Sequence, residues 1–195
     1  SGYPRFVEHP FLRKLIELEE KKVNPEGFHY FLFSNSSHCE EAIKRYSIQD
    51  YIVRERDEYT CLQIPSQSNA TAQIDAFLQH TGGVISSRQA EDILLKKVHL
   101  LKRENISSHE NPFEFAQEII AEVHGSGVTK DGVLFASSGA NAFYSLFQTA
   151  YLHSLQKGKN LWIRLGWLYL DTNETMNLLA NDDEIITLTD PTDLD

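Results

Sequence analysis

The residues best placed to do chemistry are small ones. In Gly132-Val-Leu-Phe-Ala-Ser-Ser-Gly-Ala-Asn-Ala-Phe143 an apolar run ends in Ser137-Ser138-Gly139, and a helix-forming stretch begins at once at Ala140-Asn141-Ala142. A strand, a small turn and a helix in that order aim several free backbone N–H groups at one spot, and the helix dipole adds partial positive charge there. Such a junction holds a phosphate without needing a lysine. Gly139 lets an anion approach the backbone, and the hydroxyl of Ser137 or Ser138 can donate one further hydrogen bond. The spacing is neither G-x-G-x-x-G nor a P-loop lysine motif, so the dinucleotide and nucleoside-triphosphate readings lack their signatures. Small residues at such a junction also make ordinary N-caps, and on spacing alone that plainer reading is the stronger.

Other reactive side chains are scattered. His9, His29, His38, His80, His99, His109, His124 and His153 include no pair with another His or Cys at i, i+4, which argues against a metal site. Cys39 and Cys61 have no C-x-x-C spacing and read as reduced, buried thiols. Arg88 follows a serine turn where it could meet an anion, though a solvated helix face accounts for it equally well. Trp162 and Trp167 suit sheet packing better than cofactor stacking. Asp171 and Thr172 suit the cap of a helix.

The elements that must position these residues form two blocks. In the first, Phe28 to Phe33 is an aromatic strand, and Ser36 or Ser37 caps a helix through Ala42, Ile43 and Tyr46. A strand over Tyr59 to Ile64, a helix near Asn69 to His80 broken by Gly82-Gly83, and a helix from Ser87 to Leu101 follow. The Glu17–Lys22 charge run reads as a solvated helix face. In the second, a helix opens at Pro112 behind Asn111, buries Phe115, Ile119, Ile120 and Val123, and stops at Gly125 or Gly127. Strand Val133–Ala136, helix Ala140–Leu155, strand Asn160–Leu165, helix Thr172–Ala180 and strand Glu184–Leu188 complete it. The expected fold class is α/β. A small N-terminal α/β block spans residues 1–103, and residues 111–195 begin a larger α/β/α domain with a mostly parallel sheet. The acidic run from Asp190 to Asp195 follows a strand with no helix after it, the pattern of a longer chain cut short.

The 195 residues carry 28 acidic and 18 basic side chains, a formal charge of -10 that disfavours a nucleic-acid partner. No apolar run is long enough to span a membrane, and no secretory leader opens the chain, so the expected location is cytoplasmic.

Against this background, Ser138-Gly139-Ala140-Asn141-Ala142 resembles the Ser-Gly-Met-x-Ala loop of the Cys/Met-metabolism enzymes that use pyridoxal 5'-phosphate (PLP). Gly2-Tyr-Pro-Arg-Phe-Val-Glu-His9 looks like the opening of their fungal cystathionine γ-synthase branch. Gln79-His-Thr-Gly-Gly-Val-Ile-Ser-Ser-Arg-Gln-Ala-Glu91 and Leu165-Gly-Trp-Leu-Tyr-Leu-Asp-Thr172 are similar to two further segments of that branch, in the same order. The resemblance implies a PLP-transferase fold of which this chain is the N-terminal portion. It implies an activity in methionine and cysteine metabolism, joining an O-acylated homoserine with cysteine or sulfide, in a dimer or tetramer. Carried over by position, Ser138, Gly139 and Ala140 would hold the cofactor phosphate. The family's stacking ring falls near Leu165, which is aliphatic, with Trp167 as the substitute. No arginine stands in Ser107–Asn111, where the family places an arginine-rich stretch, and no lysine stands in the context of the family's catalytic one. The chain alone is therefore expected to bind without catalysing. The alternative is a degenerate paralogue that serves as a binding or regulatory module.

Overall fold

A computed structural model describes residues 8–21, 27–103, 110–125 and 127–190. The opening motif at residues 2–7, most of the 107–111 stretch and the acidic end at 191–195 lie outside the described residues.

The first block is built on a three-stranded antiparallel sheet. Strand β1 (Phe28–Phe33) and strand β2 (Ile52–Glu55) flank β3 (Thr60–Pro65), with Tyr30 opposite Gln63 and Val53 opposite Leu62. Alternation along β1 sends Phe31 and Phe33 to one face and Tyr30 and Leu32 to the other, so the sheet has an apolar core on both sides. Helices α2 (Ser36–Arg45) and α3 (Thr71–Thr81) cover the first face, with Cys39, Ile74 and Phe77 buried. Helices α1 (Pro10–Glu20) and α4 (Ser87–Lys96) cover the second, with Leu15, Ile93 and Leu94 buried.

Several local expectations change. The cap of α2 is Asn35, whose side chain accepts from His38 N at 2.9 Å, in place of Ser36 or Ser37. Helix α4 is capped by Ser86, whose side chain accepts from Gln89 N, but it ends at Lys96, not Leu101. Val98 takes a left-handed φ of 58°, and the Leu94 carbonyl accepts from His99 N and Leu100 N, which closes the helix in the manner usually left to glycine.

The second block holds α5 (Pro112–His124), α6 (Gly139–Gln156), β4 (Trp162–Leu165), α7 (Leu170–Leu179) and β5 (Ile185–Leu188). Strands β4 and β5 pair in parallel around the α7 crossover. Phe147, Met176 and Ala180 form a small core between them, against which Trp162 packs. Two expectations fail here. Residues 133–136 join no sheet: Val133 is buried, but Leu134 is 90% exposed. Helix α5 buries none of its side chains, and Phe115, Ile119 and Val123 are exposed.

The two blocks meet along α3, against which both α6 and α7 pack. Tyr144 on α6 is fully enclosed, and its hydroxyl donates to Glu41 on α2. Arg45 on α2 donates to the Leu178 carbonyl on α7.

Candidate functional site

The chain enters α6 in extended conformation at Ser138, with φ -159° and ψ 168°. The Ser138 hydroxyl oxygen accepts from Asn141 N at 3.1 Å, which satisfies one of the orphan donors of the first turn. Its hydrogen remains available to an acceptor. The N–H groups of Gly139 and Ala140 meet no acceptor among the described residues, and an added Cβ on Gly139 would enter open space. The expected junction is thus present at its helical end, although the segment feeding it is an exposed extended run, not a strand.

Directly behind this turn lies the C-terminus of α3. Three successive carbonyls there accept from the second block. Thr175 Oγ1 donates to His80 O at 2.9 Å, Asn141 Nδ2 to Thr81 O at 3.2 Å, and Ser137 Oγ to Gly82 O at 3.5 Å. These are carbonyls that a helix end leaves without internal partners. Gly82 carries φ 61°, and a Cβ there would collide with Ser138 Oγ and stand 2.8 Å from Asn141 N. Only glycine permits this approach.

The open side of the junction is a cleft of about 270 Å³ between two helix N-termini. Gly139, Ala140 and Phe143 of α6 face Tyr169, Asp171 and Thr172 at the start of α7 across it. Asp171 does not cap α7: the residue before the helix is Tyr169, and no side chain caps it. Its carboxylate instead meets His80 Nδ1 at 3.2 Å and Gln79 Nε2 at 3.5 Å. A carboxylate only accepts, so the Nδ1 facing it carries the hydrogen.

Of the residues singled out in the sequence, Gly139, Ala140, Asp171 and Thr172 line this cleft, whereas Ser138 stands at the edge of the turn with its hydroxyl on the Gly82 side. Trp167 does not line it and is 94% exposed. Leu165 is likewise outside it and half exposed. Tyr169, which the sequence reading passed over as a stacking ring, lines the cleft opposite the ring of Phe143. Its signal was its place three residues before Thr172 in the matched segment. Among the described residues no lysine lines the cleft.

Elsewhere the chemistry is structural. Arg88 Nη1 pairs with the buried Glu91 at 3.1 Å, so it is not simply solvated. Both cysteines are free and buried, and burial pushes each thiol up to about 12. Among the described residues no group of three or more His, Cys, Asp or Glu could hold a metal ion, and no helix is long and apolar enough to cross a membrane.

An L-2-amino-4-chloropent-4-enoate dechlorinase/desaturase from Streptantibioticus cattleyicolor is 29% identical over 196 residues. The match covers 99% of this chain but 39% of that relative's length. No protein-family profile matches the chain. No solved structure matches it.

Proposed function

We propose that the chain forms the phosphate-holding part of a PLP-dependent enzyme that removes or replaces a substituent on the γ-carbon of an amino acid. The supporting observation is convergence. Segments around residues 138–142 and 169–172 line one cleft, and the segment around 79–83 backs it through Asn141 and Asp171, His80 and Asp171 being 91 positions apart; each is similar to a segment of the PLP family. The relative's name points the same way, because the chlorine of its substrate sits on C4, the γ-carbon of a 2-amino acid. In the finer form, the substrate is an O-acylated homoserine, whose acyloxy group leaves the same carbon as a carboxylate, with cysteine or sulfide as the acceptor.

The residues present fit the phosphate end of the cofactor. Gly139 and Ala140 offer two N–H donors at the positive end of an 18-residue helix, and the Thr172 hydroxyl can add one more. The Tyr169 ring is the chain's candidate to lie against the pyridine. PLP, when bound, supplies the electron sink for bond breaking at the substrate. The chain's own residues anchor and orient it.

Gly139 is the first helical residue, a position that tolerates proline, and extended Ser138 suits a following proline. Gly139→Pro therefore removes one N–H donor while keeping the helix. Fluorescence titration with pyridoxine 5'-phosphate, which lacks the reactive aldehyde, should show tighter binding than pyridoxine. The variant should lose about tenfold of that affinity, the order of one charge-assisted hydrogen bond. Equal binding of the two ligands by the unaltered chain would sink the reading.

A second reading, a paralogue that keeps the site for binding alone, is favoured by aliphatic Leu165 where the family places a ring. Turnover of an O-acylhomoserine by the full-length protein supports the enzyme; phosphate-dependent binding without turnover supports the paralogue.

A further inference from the structure

The cleft contains its own rival for the phosphate. Asp171 lines the same small cleft as Gly139 and Ala140, and a carboxylate beside two open amides at a helix N-terminus is itself a good ligand for them. It is held instead by two side chains from the other block. Gln79 and His80, on the last turn of α3, both reach Asp171 Oδ1. The Gln79 contact is exposed, but the His80–Asp171 pair is partly shielded from water, with 18% of the His80 side chain and 15% of the Asp171 side chain exposed. It is also anchored, because Thr175 Oγ1 holds the His80 carbonyl and Asn141 Nδ2 holds that of Thr81.

We infer that His80 is a positioning residue of the cofactor site: by holding Asp171 against α3 it keeps that carboxylate off the amides of Gly139 and Ala140, so that an external phosphate monoester can occupy them. This rests on the phosphate-site reading above, and it gives the N-terminal block a task in the site. The block supplies the wall against which the site's one lining carboxylate is turned away. Asp171 is the residue restrained, and the α6 amides touch the ligand.

The test is a double-mutant cycle with a rescue, read by pyridoxine 5'-phosphate fluorescence at one pH on the whole chain, with pyridoxine as the control. His80→Phe keeps a ring but removes the donor, and should weaken pyridoxine 5'-phosphate binding about tenfold, the order of one lost charge-assisted hydrogen bond. Adding Asp171→Asn should bring the affinity back to within about twofold of Asp171→Asn alone, since the rival charge is gone. His80→Asn, whose amide can replace the Nδ1 donor, should bind like the unaltered chain. If His80→Phe weakens binding and Asp171→Asn does not restore it, the effect is merely structural and the inference fails. If His80→Phe binds normally, it also fails. Should His80→Phe not fold, Asp171→Asn alone decides: it must bind at least as tightly as the unaltered chain, and weaker binding by the folded variant overturns the inference. Absence of any phosphate preference in the unaltered chain is a different result, which removes the underlying reading as well.

Discussion

Glu19 shows how much one residue can be asked to do in this fold. It lies on the inner side of α1 with no solvent exposure. Arg56 Nη2 meets its carboxylate at 2.6 Å and Arg56 Nε at 3.2 Å, while the Tyr59 hydroxyl donates to it at 2.7 Å. A buried charge is tolerated only when it is paired and hydrogen-bonded, so these contacts offset a desolvation cost of several kcal/mol. Arg56 is itself partly exposed and loses less by entering the pair. Removing the cation is therefore much worse than never having had the pair. Arg56→Met is expected to cost about 3 kcal/mol, and Tyr59→Phe about 1 kcal/mol, in urea-denaturation midpoints. A loss below about 0.5 kcal/mol for Arg56→Met would show that water reaches Glu19 and that the pair behaves like a surface one.

At the scale of elements, helices differ in what holds them. α3 and α6 are bound on several sides, whereas α5 buries nothing and touches mainly the 130–132 turn. Its contacts include Gln117 Nε2 to Val133 O at 2.8 Å, Lys130 to Glu114 at 2.9 Å, and the Phe113–Phe135 ring pair. A 13-residue helix without a packed face is marginal in water. Amide exchange in α5 is expected to run at least about a hundredfold faster than in α3 or β3, read by hydrogen-exchange mass spectrometry. Equal protection would mean that α5 is covered in solution. The same contrast marks what was legible in the sequence. Strands β1 and β3 could be read because they are short apolar runs buried on both faces, α3 because Ile74, Phe77 and Leu78 share one face, and α6 because a small turn opens it. Strand β2 was missed: Ile52-Val-Arg-Glu55 is four residues at a sheet edge, mostly exposed, with no alternation to find. The Val133–Ala136 run failed for the opposite reason, since four apolar residues specify burial but no partner strand. Around the cleft, the spacing marked the turn at residues 137–139, and the resemblance singled out Ser138, Gly139 and Ala140. The His80–Asp171 clasp was illegible, because nothing in either segment says that residues 91 apart will touch.

For the whole molecule, pH is the condition to which the packing is most exposed. Cys39 lies in the core under α2 and α3, Cys61 in the core under α1 and α4, and Tyr144 at the contact between the blocks. Burial pushes both thiols up to about 12, and burial first, then the hydrogen bonds to Glu19 and Glu41, raises the phenols of Tyr59 and Tyr144. The unfolded chain ionises these groups at their ordinary values, about 8.5 for a thiol and about 10 for a phenol. Below the thiol value both states hold their protons, and the packing is fully effective. As pH rises beyond it the unfolded chain sheds protons that the folded one keeps, so stability falls with a slope of up to about 1.4 kcal/mol per pH unit for each group. Urea midpoints should thus be flat from about pH 7 to 8, decline between about 9 and 10 through the thiols, and steepen above 10 as the phenols join. The double variant Cys39→Ala with Cys61→Ala will start from a lower stability, yet its decline between pH 9 and 10 should nearly vanish. The slope, not the offset, is the readout. An unchanged slope in that variant would place the alkaline sensitivity elsewhere and show that the two cores admit water to their sulfurs.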